Sequence, residues 1–286
     1  MTAPVDLDPR LLRLLYAYDR EAPLDASESV VGEQSRVRTT RFECTSTHGL
    51  RVRGLLRQPI GHADALPLVL LAREAGANER SSVGDALGLQ CVRHGMACAT
   101  VEIELSDSVC VAIGGELRRA GMPLLPWSLR ERVVQCSVDL RRCLDLLETR
   151  PGIDATRAGL LGFGEGACIG LAAAAFDVRL RAAVLVQCGT GLLRRLAVSP
   201  DEQALQDLAQ AEQMVEPRVF APLLAGRPLL LINGLQDQAV PPESARALFE
   251  ALPEPKRLRW YEGGRAHLSP SELEEAFTFL HETLRA

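Results

Sequence analysis

The most informative segment of the chain is Ala158-Gly-Leu-Leu-Gly162-Phe-Gly164-Glu-Gly166-Ala-Cys168. Its first residues form an apolar run that predicts a buried strand over 158–162, and a helical pattern follows over 165–176. A strand that turns directly into a helix brings the two elements very close, so the turn needs small residues on both sides of its central position. Gly162 and Gly166 meet that need around Gly164. The segment is therefore typical of a nucleophile elbow, and its glycine spacing does not match the dinucleotide fingerprint.

The same alternation of strand and helix continues along most of the chain. Apolar runs that predict strands lie at 66–72, 97–103, 158–162, 182–187, 228–233 and 257–261. Helical patterns lie at 82–94, 129–148, 165–176, 243–252 and 270–284. This alternation predicts an α/β fold, with a mostly parallel twisted sheet covered by helices on both faces.

The N-terminal part of the chain departs from this alternation. Residues 1–35 contain a short amphipathic helix over 9–18 and then a polar stretch without periodicity. Two β-rich runs, 38–45 and 50–57, are joined at Thr47-His48-Gly49 and predict an antiparallel hairpin. We therefore expect an N-terminal helix and extended segment over 1–35, followed by a single α/β domain over 36–286.

Two longer segments interrupt the alternation. Residues 105–127 hold several glycines and prolines, and residues 191–226 form a helical insertion. Ligands of open α/β sheets bind beyond the carboxyl ends of the strands, where such segments collect. We expect both segments to cover a pocket, with Trp127 or Phe163 in its apolar wall. The alternative is that they are ordinary surface loops.

Composition and charge exclude several classes of protein. The chain has 286 residues and a formal net charge of −5, which argues against an electrostatic nucleic-acid binder. Its most apolar stretch is broken by Glu165, so no membrane-spanning segment is expected. No signal peptide is evident and the eight cysteines form no CxxC pair, so we expect buried, reduced thiols in a cytoplasmic protein. No metal-ligand spacing, phosphate-binding loop or nucleotide fingerprint occurs, so no metal and no cofactor are expected.

A second informative segment is Gly234-Leu-Gln-Asp237-Gln-Ala-Val240-Pro241. Asp237 follows an apolar strand at its carboxyl end, which is where the acid of a catalytic triad must lie in such a sheet. The plainer alternative is that Asp237 is a turn or cap residue in front of the helix that starts near Pro241.

With these two segments, the chain from Arg38 to its end resembles the α/β-hydrolase superfamily, in particular its esterase and dienelactone-hydrolase branch. The resemblance implies a serine or cysteine nucleophile at position 164 and Asp237 as the acid of a GxxDxxVP loop. Position 164 holds glycine instead, so the acyl-enzyme route is closed. Cys168 lies one helical turn further on and is expected to point into packing.

The resemblance also implies a catalytic histidine directly after the glycines that follow the last strand. This sequence reads Gly263-Gly-Arg265-Ala-His267 there. Either a longer loop brings His267 to the site, or the site holds Arg265. We favour His267, because no other histidine in the second half of the chain lies near a predicted strand end.

The loop after the strand at 66–72 carries Arg73, Glu74 and Ala75, where esterases have a His-Gly pair that opens the oxyanion hole. Glu74 is similar, with a short gap, to a glutamate of the dienelactone hydrolases. It is either a general base whose pKa burial raises, or half of a solvated salt bridge with Arg73 or Arg80. Glu165 either faces the pocket or sits in the first turn of its helix, where the helix dipole favours a carboxylate.

Three functions fit these residues. The first is an enzyme that acts on a small ester or lactone by non-covalent acid–base chemistry, with His267, Asp237 and Glu74. The same acid–base chemistry also suits elimination or isomerisation, so a lyase or isomerase on this scaffold is an alternative to hydrolysis. The second function is that of a non-catalytic protein that binds a small molecule. The third is an esterase whose nucleophile has been replaced. We favour the first, with a small-molecule substrate and no cofactor, and the sequence leaves a homodimer open.

Overall fold

The computed structural model describes residues 9–61, 64–73, 82–103, 126–196 and 208–285. Its strands are β1 (Ser27–Gln34), β2 (Val37–Thr45), β3 (Arg51–Pro59), β4 (Leu66–Ala72), β5 (Ala97–Val101), β6 (Ile153–Phe163), β7 (Leu180–Val186), β8 (Leu229–Gly234) and β9 (Lys256–Tyr261). Its α-helices are α1 (Pro9–Leu15), α2 (Ser82–Arg93), α3 (Pro126–Glu148), α4 (Glu165–Phe176), α5 (Leu192–Leu196), α6 (Pro242–Ala251) and α7 (Pro270–Arg285).

The strands form one sheet in the order β1-β2-β3-β5-β4-β6-β7-β8-β9. β1, β2 and β3 pair antiparallel with one another, and β3 pairs antiparallel with β5. From β5 to β9 every pairing is parallel. The carboxyl ends of β4, β6, β7, β8 and β9 therefore lie side by side along one edge, which we call the carboxyl edge.

Apolar side chains cover both faces of the sheet. On one face, α1, α3, α4 and α6 pack on strand residues such as Leu70 and Leu160. On the other face, α2 and α7 pack on the alternate residues, such as Leu71 and Leu161. Because successive side chains of a strand point to opposite faces, a strand buried on both sides reads as a continuous apolar run. The predicted α/β architecture, with helices on both faces, is confirmed.

The N-terminal part contains one strand that the sequence analysis missed. The predicted hairpin is present as β2 and β3, joined by a short 3₁₀ turn at Thr47–Gly49. The polar stretch before it also forms a strand, β1, which pairs with β2 at the edge of the sheet. All eight residues of β1 are exposed, so the alternation of apolar and polar residues that marks a half-buried strand is missing.

Two further expectations concern cysteines and membranes. The seven described cysteines are all buried, as predicted, and all are free thiols. Across the described residues, no helix combines the length and apolar character needed to cross a bilayer.

Candidate active site

The elbow predicted around Gly164 is present in the structure. Gly164 joins β6 to α4 with φ 54° and ψ −121°, a conformation that glycine adopts readily and that strains a residue with a side chain. Its N–H donates a hydrogen bond to Val186 O (3.0 Å), and its carbonyl accepts one from the Cys168 N–H (3.4 Å). The turn is thus built like a nucleophile elbow, while its central residue offers no reactive atom.

Close packing explains the glycines on either side of the elbow. A Cβ atom at Gly162 would lie 2.5 Å from Ala167 Cα, and one at Gly166 would lie 2.5 Å from Ala72 O. Both distances are too short for real atoms, so β6, α4 and the end of β4 meet only because neither glycine has a side chain. The predicted need for small residues at these two positions is confirmed.

Cys168 does not replace the missing nucleophile. It is 1% exposed, and its Sγ lies 3.5 Å from the Sγ of Cys188, which is buried as well. The thiol therefore faces the core, as the sequence analysis expects.

Asp237 lies in the turn after β8, at the carboxyl edge, and its side chain is 1% exposed. Its Oδ1 accepts hydrogen bonds from the N–H groups of Ala239 (2.8 Å) and Val240 (3.0 Å). In the described part of the chain its Oδ2 has no hydrogen-bond partner, and it lies 3.8 Å from Arg265 Nε. One oxygen thus shapes the turn, as the plainer alternative holds, and the other faces the loop after β9.

The side chain that reaches Asp237 from that loop belongs to Arg265, not to His267. The loop ends in a 3₁₀ turn, Arg265–His267, after Gly263 with φ 94°. This turn folds His267 back over the glycines, where its Nδ1 accepts a hydrogen bond from the Gly264 N–H (3.2 Å). His267 is exposed, and no described hydrogen bond joins it to Asp237. The predicted contact between Asp237 and His267 is wrong, because a tight turn rather than a longer loop closes this segment.

Gln187 completes the cluster, and the sequence analysis missed it. Gln187 follows β7, is 4% exposed and has φ 54°, so its backbone is held in a left-handed region that side chains rarely adopt. Its Nε2 donates hydrogen bonds to Tyr261 Oη (2.8 Å) and to Arg265 O (2.8 Å). Burial raises the pKa of Tyr261, so this hydroxyl is protonated at neutral pH. The available signal is a polar residue at the end of an apolar strand, the same signal that identifies Asp237.

The other predicted site residues are dispersed. Arg73 follows β4 and is half-buried, Glu165 is half-buried in the first turn of α4, and Phe163 packs against the core on the face of α2 and α7. Outside the described residues lie Glu74, Ala75, the side chain of Trp127, and residues 104–125 and 197–207 of the two cover segments. The described part of the insertion packs on the core with α3 and α4. A pocket covered by both segments stays a prediction.

Set against the triad that the resemblance implies, this cluster has the carboxylate, Asp237, and has Gly164 and Arg265 at the other two positions. Gly164 has no nucleophile, and a guanidinium, which has five N–H donors and no acceptor, cannot act as the general base. Acyl transfer of the serine type is therefore excluded for these residues. Among the described residues of this cluster, the Arg265 side chain is 33% exposed and the Asp237 carboxylate beside it is buried. Across the described ranges, no group of three His, Cys, Asp or Glu side chains is arranged to hold a metal ion.

Several solved structures with the same fold are esterases. The chain superposes on the acetyl xylan esterase from Paenibacillus sp. R4 with a TM-score of 0.73 and 20% identity, covering 96% of this chain and 92% of that one. The superposition on acetyl xylan esterase 1 from Thermoanaerobacterium sp. JW/SL YS485 has a TM-score of 0.78 and 14% identity, and it covers 97% of this chain and 93% of that one. The superposition on the glucuronoyl esterase from Solibacter usitatus has a TM-score of 0.66 and 14% identity, and it covers 97% of this chain and 92% of that one. No protein-family model and no curated protein matches the sequence.

These likenesses extend over nearly the whole chain, and they establish its architecture. The protein has the α/β-hydrolase fold, which the resemblance in the sequence implies. Fold alone does not carry the activity of a neighbour, because function resides in the side chains of the site.

Proposed function

We propose that this protein uses the hydrolase-like scaffold to bind a small carbonyl compound in front of the elbow, without forming an acyl-enzyme. The observation that carries the proposal is that two residues of this site, Gly164 and Arg265, lack the groups needed for acyl transfer, while the backbone of the elbow has the geometry that such a site requires. Gly164 has the backbone geometry of a nucleophile without its side chain, and Arg265 stands beside Asp237 where a base would be needed. Together these residues remove covalent catalysis and leave the surrounding framework in place.

Recognition of a carbonyl oxygen does not need the lost side chains. In acyl-transfer enzymes the oxyanion hole is formed largely by backbone N–H groups. The elements that would supply these N–H groups are the start of α4 and the end of β4. They can approach each other closely because Gly166 has no side chain, since a Cβ there would lie 2.5 Å from Ala72 O. The turn at Gly164, with its positive φ, is also present, although glycine carries no chemistry there. These features support binding as the function that this site can still perform.

Acid–base turnover of an ester or lactone is the second candidate, and the esterase neighbours favour it. His267 is turned away from Asp237, so a base would have to come from Glu74 or Glu165. Either carboxylate would accept a proton from water directly.

One set of measurements separates the two candidates. The purified protein is assayed for hydrolysis of p-nitrophenyl acetate and a simple lactone, and its melting temperature is recorded with a panel of small acids, amides and esters. The proposal expects no hydrolysis above the buffer rate, and an increase of about 2 °C or more for some members of the panel at saturating concentration. If the protein hydrolyses a substrate and this activity disappears in Glu74→Gln or Glu165→Gln, the proposed binding function is overturned in favour of acid–base catalysis.

A substitution at the elbow tests whether the ligand binds in front of Gly164. Gly164→Leu puts a side chain where the ligand would lie, and should abolish the increase in melting temperature. Gly226→Leu is the matched control, because Gly226 also has a positive φ (78°) and a Cβ there would meet nothing within 4 Å. A ligand response that survives Gly164→Leu, or no response to any compound together with no turnover, would overturn the proposal.

A further inference from the structure

A cavity lies between α2 and the antiparallel strands β1, β2 and β3. Its volume is about 430 Å³, within the range of about 300–1,000 Å³ that is usual for small-molecule sites. Gly32 pairs in register with Thr39, and Thr39 pairs with Arg57, so these three positions form one row along the strand side of the cavity. A Cβ atom at Gly32 would meet nothing within 4 Å, so the row is open at this end. An apolar group of side chains completes the lining: Val31, Val37, Leu55 and Leu89.

This cavity is separate from the site at the elbow. In the sheet order, β3, β5 and β4 lie between β2 and β6, the strand that leads into Gly164. Neighbouring strands are about 4.8 Å apart, so the four steps from β2 to β6 amount to roughly 19 Å. A molecule bound here would therefore occupy a second site, with its own ligand.

A buried guanidinium forms part of the cavity wall. Arg57 is 3% exposed, its Nη1 donates a hydrogen bond to Thr100 Oγ1 (3.2 Å), and its Nη2 donates one to Asp85 Oδ1. Gly88 in α2 makes room for this side chain, because a Cβ atom at position 88 would lie 2.9 Å from Arg57 Cδ. The strand β3 and the helix α2 together hold the ion pair in place at the cavity.

The ion pair leaves the cavity without a net charge. Arg57 and Asp85 are the charged residues of its lining, so a charged ligand is attracted by one and repelled by the other. The Asp85 side chain is 47% exposed, and its Oδ2 can accept a hydrogen bond while Oδ1 is engaged by Arg57. Gln34 and Thr39 also line the cavity, and each of them can both donate and accept. A hydroxyl group matches this lining, because it donates and accepts as well.

We propose that the cavity binds a small uncharged alcohol that carries at least two hydroxyl groups on an apolar frame. One hydroxyl donates to the Asp85 carboxylate, in a hydrogen bond that the negative charge of the acceptor strengthens. A second hydroxyl bonds to Thr39 on the strand side of the cavity. The hydrocarbon frame then packs on the apolar group of the lining, where it is removed from water.

Three probes of one shape test the charge of the ligand. trans-1,2-Cyclohexanediol is neutral, trans-2-aminocyclohexanol is cationic at neutral pH, and trans-2-hydroxycyclohexanecarboxylate is anionic. Each is titrated into the nitrogen-15-labelled full chain at constant ionic strength, and affinity is measured from the amide chemical shifts of Thr39 and Leu89. The diol should shift these amides and bind at least about threefold more tightly than either charged probe.

Variants assign the binding to the cavity. Gly32→Phe places a ring over its open end and should abolish the shifts. Val30→Phe is the matched control, because Val30 is 58% exposed on the same strand and lies outside the lining. Asp85→Asn removes the charged acceptor, so it should weaken binding of the diol by about tenfold and make the carboxylate probe the tighter ligand. If Asp85→Asn does not fold because Arg57 has lost its partner, Thr39→Val keeps the ion pair and should weaken the diol by about threefold.

The outcomes are distinct from those of the elbow experiments. The inference fails if none of the probes shifts the cavity amides, if the shifts persist in Gly32→Phe, or if a charged probe binds the wild-type protein most tightly. Binding of the diol should persist in Gly164→Leu, because the two sites are separate. Its loss in that variant would also overturn the inference, since the diol would then bind at the elbow.

Discussion

The Asp237–Arg265 arrangement predicts how a working triad can be rebuilt. Gly164→Ser restores a nucleophile at the elbow, and Arg265→His places an imidazole where the guanidinium now faces Asp237 Oδ2. That oxygen has no described hydrogen-bond partner, so it can orient an imidazole Nδ1–H at about 2.6–3.2 Å. We expect the double variant to hydrolyse p-nitrophenyl acetate, and each single variant to remain near the buffer rate.

The structure sets the magnitudes of this prediction. A side chain at φ 54° and ψ −121° costs on the order of 1–3 kcal/mol, so Gly164→Ser should lower the free energy of unfolding by roughly that amount. A positioned general base contributes about 10²–10⁴ in rate. The double variant should therefore exceed Gly164→Ser alone by at least about 10²-fold, and far exceed the sum of the single variants, because triad residues act as a unit.

The assay uses initial rates of p-nitrophenolate release, with urea denaturation of each variant to establish that it is folded. Gly164→Ala with Arg265→His is the matched control, since alanine introduces the same backbone strain without a hydroxyl. The rate of the double variant should rise with pH through about 6.5, as the imidazole loses its proton.

Two results would refute the reasoning. Activity in Gly164→Ser alone that is lost on His267→Ala would show that His267 is the base, against its contact with Gly264 N–H. A folded, inactive double variant would show that the oxyanion-binding framework has been lost along with the triad.

Three further predictions concern stability, and urea denaturation tests each of them. Gly166→Ala should cost about 1–3 kcal/mol by overpacking against the backbone of β4, whereas Gly32→Ala, where a Cβ would meet nothing within 4 Å, should change stability by less than about 0.5 kcal/mol. Arg142→Met should cost about 3–5 kcal/mol, because this 1% exposed guanidinium donates to Asp145 Oδ2 (3.3 Å) and to main-chain carbonyls of the segment before β1. Burial raises the pKa of Tyr16 above its ordinary value of 10.0, so unfolding releases a proton above about pH 10 and stability should fall as pH rises from there. Tyr16→Phe should reduce that alkaline slope, and an unchanged slope would contradict the assignment.

Much of the molecule follows from local patterns in the sequence. Strands buried on both faces read as apolar runs, and the glycines at 162 and 166 mark a place where a strand, a turn and a helix touch. Asp237 could be placed at the carboxyl edge because it directly follows an apolar strand. These features depend on residues close together in the chain, so periodicity and spacing are enough to predict them.

Contacts between distant parts of the chain decide the rest. β1 is a strand because it pairs with β2, and its eight exposed residues carry no periodic signal. Arg265 and His267 are two residues apart, and the sequence by itself favours His267 as the partner of Asp237. The choice depends on a 3₁₀ turn after Gly263 and on a hydrogen bond from Gln187, a residue far away in the chain. The conformation of the loop after β9 thus decides that Arg265, and not His267, contacts the buried carboxylate of Asp237. That conformation depends on contacts with neighbouring strands, which exist only in the folded sheet.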